Sequence, residues 1–168
     1  IRDGIHRGLK GSGYRTLAEF DTPDWKPTEA QQWTAGQITR FGNEIKGIVA
    51  ANDGTGGGAI AALKAAGVEP LPPVSGNDAV IAALQRIIAG DQYNTISKPS
   101  HIVAAAAARA AVKLINGQTP EPNTTLYDTP SELYMPTVVT RSTIKSEIFD
   151  SGVLKPEQVC TDEYAAAC

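Results

Sequence analysis

Ile45-Lys46-Gly47-Ile48-Val49 is a short, mostly apolar run. Asn52-Asp53 follows it, and Gly54-Thr55-Gly56-Gly57-Gly58-Ala59-Ile60 then opens an Ala- and Leu-bearing stretch that stops at Gly67. An apolar run of strand length, two residues with capping side chains and a helix of about twelve residues closed by glycine make one βα unit. Its neighbours repeat the pattern. Residues 16–20 read as a strand. Thr28 with Gln31 three residues later reads as a capping box, opening a helix through Trp33, Ile38 and Phe41 that Gly42-Asn43 stops. Residues 71–75 read as a strand weakened by Pro72 and Pro73. Asn77 and Asp78 read as caps of a helix carrying Ile81, Leu84, Ile87 and Ile88, with Gly90 at its end. Residues 93–97 read as a strand, and Pro99 suits the first turn of the Ala-rich helix that stops at Asn116-Gly117. Short strands alternating with helices predict an α/β fold, a mainly parallel sheet flanked by helices in three layers.

After Gly117 the pattern changes. Pro120, Pro122, Pro130 and Pro136 interrupt the chain. One strand is expected within residues 134–140 and a short helix within 143–149, and residues 152–168 read as a loop along the surface. The chain opens at Ile1-Arg2-Asp3-Gly4, with Ile5 and Leu9 on what reads as a helix already under way, so a fragment is expected.

Composition narrows the function. The 168 residues are 42% apolar and 20% charged, with a net charge of −3. That excludes a disordered chain and disfavours a nucleic-acid binder, which would be basic. The two cysteines, Cys160 and Cys168, are too few for a disulfide scaffold; paired with each other they would close one small loop, as an oxidising compartment permits. The glycines at 54–58 lack the Lys-Ser/Thr pair of a phosphate-binding loop. His6 and His101 lack metal-ligand spacing, Ser12 lacks the nucleophile-elbow pattern, and Ser75 before Gly76 has no His/Asp partner set. No enzyme, metal site or cofactor is expected.

In open parallel sheets ligands bind beyond the carboxyl ends of the strands. The residues there are Trp25, Asn52, Asp78 and Lys98, with Asp21, Asp24, Asp53 and Asn77 beside them. An indole covers the C–H face of a sugar ring, and carboxylate, amide and ammonium groups pair with its hydroxyls. Each also has a plainer reading: Asn and Asp as helix caps, Trp25 as a surface or core aromatic, Lys98 as a solvated cation.

The stretch Ile48–Ile60, then Val74-Ser75-Gly76-Asn77-Asp78, then Ile96-Ser97-Lys98-Pro99, resembles the xylose-binding proteins of bacterial ABC importers, within the wider class of two-lobed ribose- and galactose-binding proteins. The Lys98-Pro99 pair points to the xylose branch. The resemblance implies a monosaccharide ligand, an ABC permease as partner and a periplasmic or extracellular address, with a lipid anchor as an option. It implies that Trp25 stacks on the sugar and that Asn52, Asp78 and Lys98 bond its hydroxyls. It further implies that residues 1–98 belong to a carboxyl-terminal lobe. Residues 99–135 would pack on an amino-terminal lobe absent from this sequence, or on a swapped copy of the chain, and residues 136–168 would return to the first lobe. The same class also serves as effector domains of repressors and sensor kinases, which is the alternative expectation.

Overall fold

A computed structural model describes residues 1–98 and 100–167. They form two compact units. One is Ile1–Ser97 with the segment from Val138 onward, and the other is Lys98–Thr137.

The first unit is built around short extended segments. Ile48 and Val74 form a parallel bridge, in which Ile48 N donates to Pro73 O and Ser75 N to Ile48 O. Tyr93 N donates to Val74 O, which carries the sheet on to β1 (Asn94–Ser97), and β1 pairs with β4 (Thr137–Thr140). Residues 45–49 and 71–75 thus contribute a single bridge, not full strands. Two prolines in the second segment remove the donors a longer ladder requires. Ser75 makes up part of the loss. Its hydroxyl accepts from Ala50 N at 3.0 Å and donates to Ala50 O at 3.2 Å, taking the place of a backbone rung.

Helices pack on these segments. α1 (Arg2–Leu9) precedes an extended stretch that it holds by charge, Arg2 reaching Glu19 and Asp21 and His6 reaching Glu19. The strand expected at residues 16–20 is not formed. Among the described residues no backbone rung pairs this segment, and Phe20 turns instead to stack on Trp33 at 5.2 Å. α2 (Pro27–Phe41) begins one residue before the expected cap. Lys26 is its N-cap, Pro27 fills the first turn, and no capping box forms at Thr28. α3 (Asp53–Ala65) lies close against α2 and the sheet through its glycines. A Cβ at Gly58 would stand 2.1 Å from Pro27 O, and one at Gly56 would stand 2.9 Å from Ser75 O. Ile60, Leu63 and Val74 form one apolar cluster, with Ile38, Ile48, Val68 and Leu71 against it.

α4 (Ile81–Ala89) ends at Gly90 in the left-handed conformation, as the glycine demands. Its Leu84 and Ile88 join Val139, Ile144, Ile148 and Val159 in a second cluster. Burying side chains of this size contributes roughly 1.5–3 kcal/mol each. The carboxyl-terminal segment is therefore structural. It forms a π-helical turn (Lys145–Asp150) and α6 (Pro156–Val159), and Gln85 Nε2 donates to Val159 O. The expectation of a surface loop there fails because Val159 is fully buried.

The second unit holds α5 (Ser100–Ile115), followed by Gly117 at a φ of 73°, and the antiparallel hairpin of β2 (Thr124–Leu126) and β3 (Thr129–Ser131). Tyr127 and Asp128 form the turn, at φ of 49° and 60°. Asn123 closes the base, donating to Leu133 O and accepting from Leu133 N. Only Ala106 of α5 is buried, whereas Val112, Leu114 and Ile115 are exposed, Ile115 at 82%.

Candidate functional site

The candidate residues are set at the ends of these segments. Asn52 is the N-cap of α3. Its Oδ1 accepts from Thr55 N at 2.8 Å and from Thr55 Oγ1 at 2.7 Å, so the capping reading of this residue holds. The amide nitrogen stays clear of that work. Asn77 and Asp78 do not cap α4; Val80 is its N-cap. Asn77 ties two loops together instead, its Nδ2 donating to Ala51 O while its carbonyl accepts from Asp53 N. These bonds bring the loop of Asn52 beside the loop of Asp78.

Asp78 and Ala79 both have positive φ, 113° and 53°. Two consecutive non-glycine residues in this region carry strain of order 1–3 kcal/mol each, and such strain persists only where the surroundings hold it. Trp25 lies at a second strained turn, with φ of 49° at Asp24 and 57° at Trp25, and is 51% exposed. Two residues later Pro27 packs on Gly54 and Gly58 of α3, so this turn lies at the same end of the helix pair as the Asn52 cap. Lys98 opens the second unit, directly after β1. Its companion Pro99 lies outside the described residues, as does the Cys160–Cys168 pairing, since Cys168 is not described.

Beneath this rim lies a buried polar group that the pattern of apolar residues does not reveal. Asp53 is 1% exposed. Its Oδ2 accepts from Val80 N at 3.0 Å and Thr95 Oγ1 at 2.9 Å, and its Oδ1 from Gln92 Nε2 at 3.0 Å. Arg86 donates to Asp53 O and to Gln92 Oε1. Gly76 must be glycine here, because a Cβ would stand 2.1 Å from Asp53 Oδ1. One signal for this network is present in the sequence: β1 turns Thr95 and Ser97 inward, where an ordinary core strand carries apolar side chains.

Burial pushes the Asp53 carboxyl above its ordinary value near 3.8, against the pull of Thr95, Val80, Gln92 and Arg86 in the other direction. A raised folded-state pKa means that the folded chain holds this proton longer than the unfolded chain. Asp53's titration therefore favours folding most below the unfolded value and loses that share as pH rises through the folded one. Removing the titration with Asp53→Asn is expected to make the variant's stability deficit larger at about pH 3 than at about pH 7. Urea unfolding at both values measures it, and a deficit that grows with pH contradicts the assignment.

Among the described residues no group of His, Cys, Asp and Glu could hold a metal, and no helix is long and apolar enough to cross a membrane. Asn52 and Asp78 thus lie on adjoining loops, with the Asp78 turn tied to the buried Asp53, and Trp25 stands exposed on its own turn. The chain belongs to the periplasmic binding protein domain family, whose model matches residues 1–119. It is 40% identical over 139 residues to the D-xylose-binding periplasmic protein of Escherichia coli, covering 80% of this chain and 42% of that one. The solute binding protein of an ABC transporter from Clostridium phytofermentans, solved with bound β-D-glucose, superposes with a TM-score of 0.79 at 24% identity, over 94% of this chain and 53% of that one. A carbohydrate transporter solute binding protein from Chloroflexus aurantiacus, in complex with D-glucose, gives 0.75 at 29% identity, over 80% and 42%. The chain spans less than half the length of the curated relatives it matches.

Proposed function

We propose that this chain is one lobe's share of a solute-binding protein that captures a monosaccharide, xylose first among them, outside the membrane and hands it to an ABC permease without chemical change. The observation that carries this reading is the strained, firmly held Asp78 turn beside the Asn52 cap. The 40% identity to a protein named for D-xylose binding supports the choice of sugar. In this reading Trp25 covers the C–H face of the ring, and Asn52, Asp78 and Lys98 take its hydroxyls. A site that pairs each hydroxyl rejects a sugar that leaves a buried partner unmatched. The exposed Val112, Leu114 and Ile115 of α5 are the surface proposed to lie against an amino-terminal lobe, or a swapped copy of the chain.

With half a site, the chain is expected to bind xylose weakly. Isothermal titration should show no affinity in or below about the micromolar range, and micromolar binding would overturn the half-site assignment. Backbone NMR at high millimolar xylose should still shift the amides around Asn52 and Asp78. Asp78→Ala should weaken that response about tenfold or more, and Trp25→Ala comparably. Unchanged shifts in both variants count against the site.

The export reading is tested separately. Cys160 and Cys168 are proposed to pair, so thiol titration of the denatured, unreduced chain is expected to find none free. Two free thiols would favour a cytosolic effector domain.

A further inference from the structure

Three consecutive backbone amides of the Asp78 turn are each held by a different acceptor. Asp78 N donates to Ile96 O at 3.0 Å, Ala79 N to Thr95 Oγ1 at 3.1 Å, and Val80 N to Asp53 Oδ2 at 3.0 Å. Thr95 Oγ1 in turn donates its own proton to Asp53 Oδ2 at 2.9 Å, which leaves the hydroxyl's lone pairs facing Ala79. A hydroxyl has one proton, so the buried carboxylate fixes the direction in which Thr95 can act. The Asp53 carboxylate is itself oriented from its other oxygen by Gln92, which Arg86 grips at Oε1. Two of the three residues so held, Asp78 and Ala79, have positive φ.

We infer that Thr95, oriented by the buried Asp53, is a positioning residue that holds the strained Asp78–Ala79 turn in the one conformation that presents the Asp78 carboxylate to ligand. Thr95 touches no ligand in this scheme and acts only through the turn. The inference deepens the sugar-site reading and rests on it for the ligand, but the bracket itself is a property of this chain.

The test uses Thr95→Val, which keeps the shape and deletes the acceptor, and Thr95→Ser, which keeps the hydroxyl. Native-state amide exchange, followed by NMR, is expected to speed up at Ala79 about tenfold or more in Thr95→Val, relative to Leu84 and Ile87 in the same protein. Thr95→Ser should restore parental exchange. A merely structural role would move all three amides together, and that result, or no rescue by serine, overturns the bracket. The xylose-dependent shifts are read in the same samples. If Asp78→Ala abolishes them and Thr95→Val leaves them intact, positioning is wrong and the site stands. If the parent chain shows no shifts, the sugar reading fails, and the exchange rates alone decide the bracket.

Discussion

Gly58→Ala is expected to destabilise the first unit by about 3 kcal/mol, at the upper end of what overpacking a well-filled interior does. The added Cβ would stand 2.1 Å from Pro27 O, 3.0 Å from Pro27 C and 3.2 Å from Gln31 N. All three are backbone atoms of α2, so no side chain can swing aside. Relief requires α2 to move off α3, and with it the turn that carries Trp25. Gly36→Ala supplies the control. It lies in α2 with nothing within 4 Å of its Cβ, and alanine is the better helix former by roughly 0.5–1 kcal/mol. Urea unfolding should therefore separate the two variants in opposite directions from the parent. A Gly58→Ala midpoint equal to that of the parent would mean that the helices are less closely set than 2.1 Å implies.

Asp53→Ala is expected to be at least as damaging, about 3–5 kcal/mol, because it leaves buried partners without their charge and acceptor. Val80 N, Thr95 Oγ1 and Gln92 Nε2 all donate to this carboxylate. Alanine strands them together, in a place where water has no access to Asp53 itself. Asp53→Asn retains one acceptor oxygen but turns an N–H toward a donor, so its deficit should be smaller and still clear. At this chain length each kcal/mol lowers the melting temperature by roughly 2–4 °C, so the alanine variant should melt about 6–20 °C below the parent. A shift of a degree or two would show that the network is peripheral to folding.

Much of this architecture is legible along the chain. The helix at residues 53–65, the glycine stops at Gly42, Gly67 and Gly90, and the strand before Lys98 rest on local chemistry, and local chemistry decides them, whereas the strand expected at 45–49 shrinks to one bridge. The failures have a common cause in tertiary partners. Residues 16–20 have strand composition but no neighbouring ladder, so Phe20 settles on Trp33. Asn77 and Asp78 have capping side chains, yet Asp53, from a different unit of the pattern, bonds the amide at the start of α4. The hairpin at 124–131 lacks the Asn-Gly or Asp-Gly pair that marks such turns, because Tyr127 and Asp128 adopt left-handed φ without glycine. Residue type and the expected strand ends make Trp25, Asn52 and Asp78 candidates, although the strand expected before Trp25 is not formed. The bracket beneath them is hidden because its members, Asp53, Arg86, Gln92 and Thr95, are scattered over more than forty positions and meet only on folding.

The hairpin tip also offers a practical handle. Tyr127 is 97% exposed, and the loop is latched at its root by the paired bonds of Asn123 with Leu133. A peptide tag or reporter dye introduced between Tyr127 and Asp128 lengthens a turn that buries nothing, while the latch keeps the flanking strands in register. Such an insertion gives a label on the second unit at a turn whose residues are all exposed.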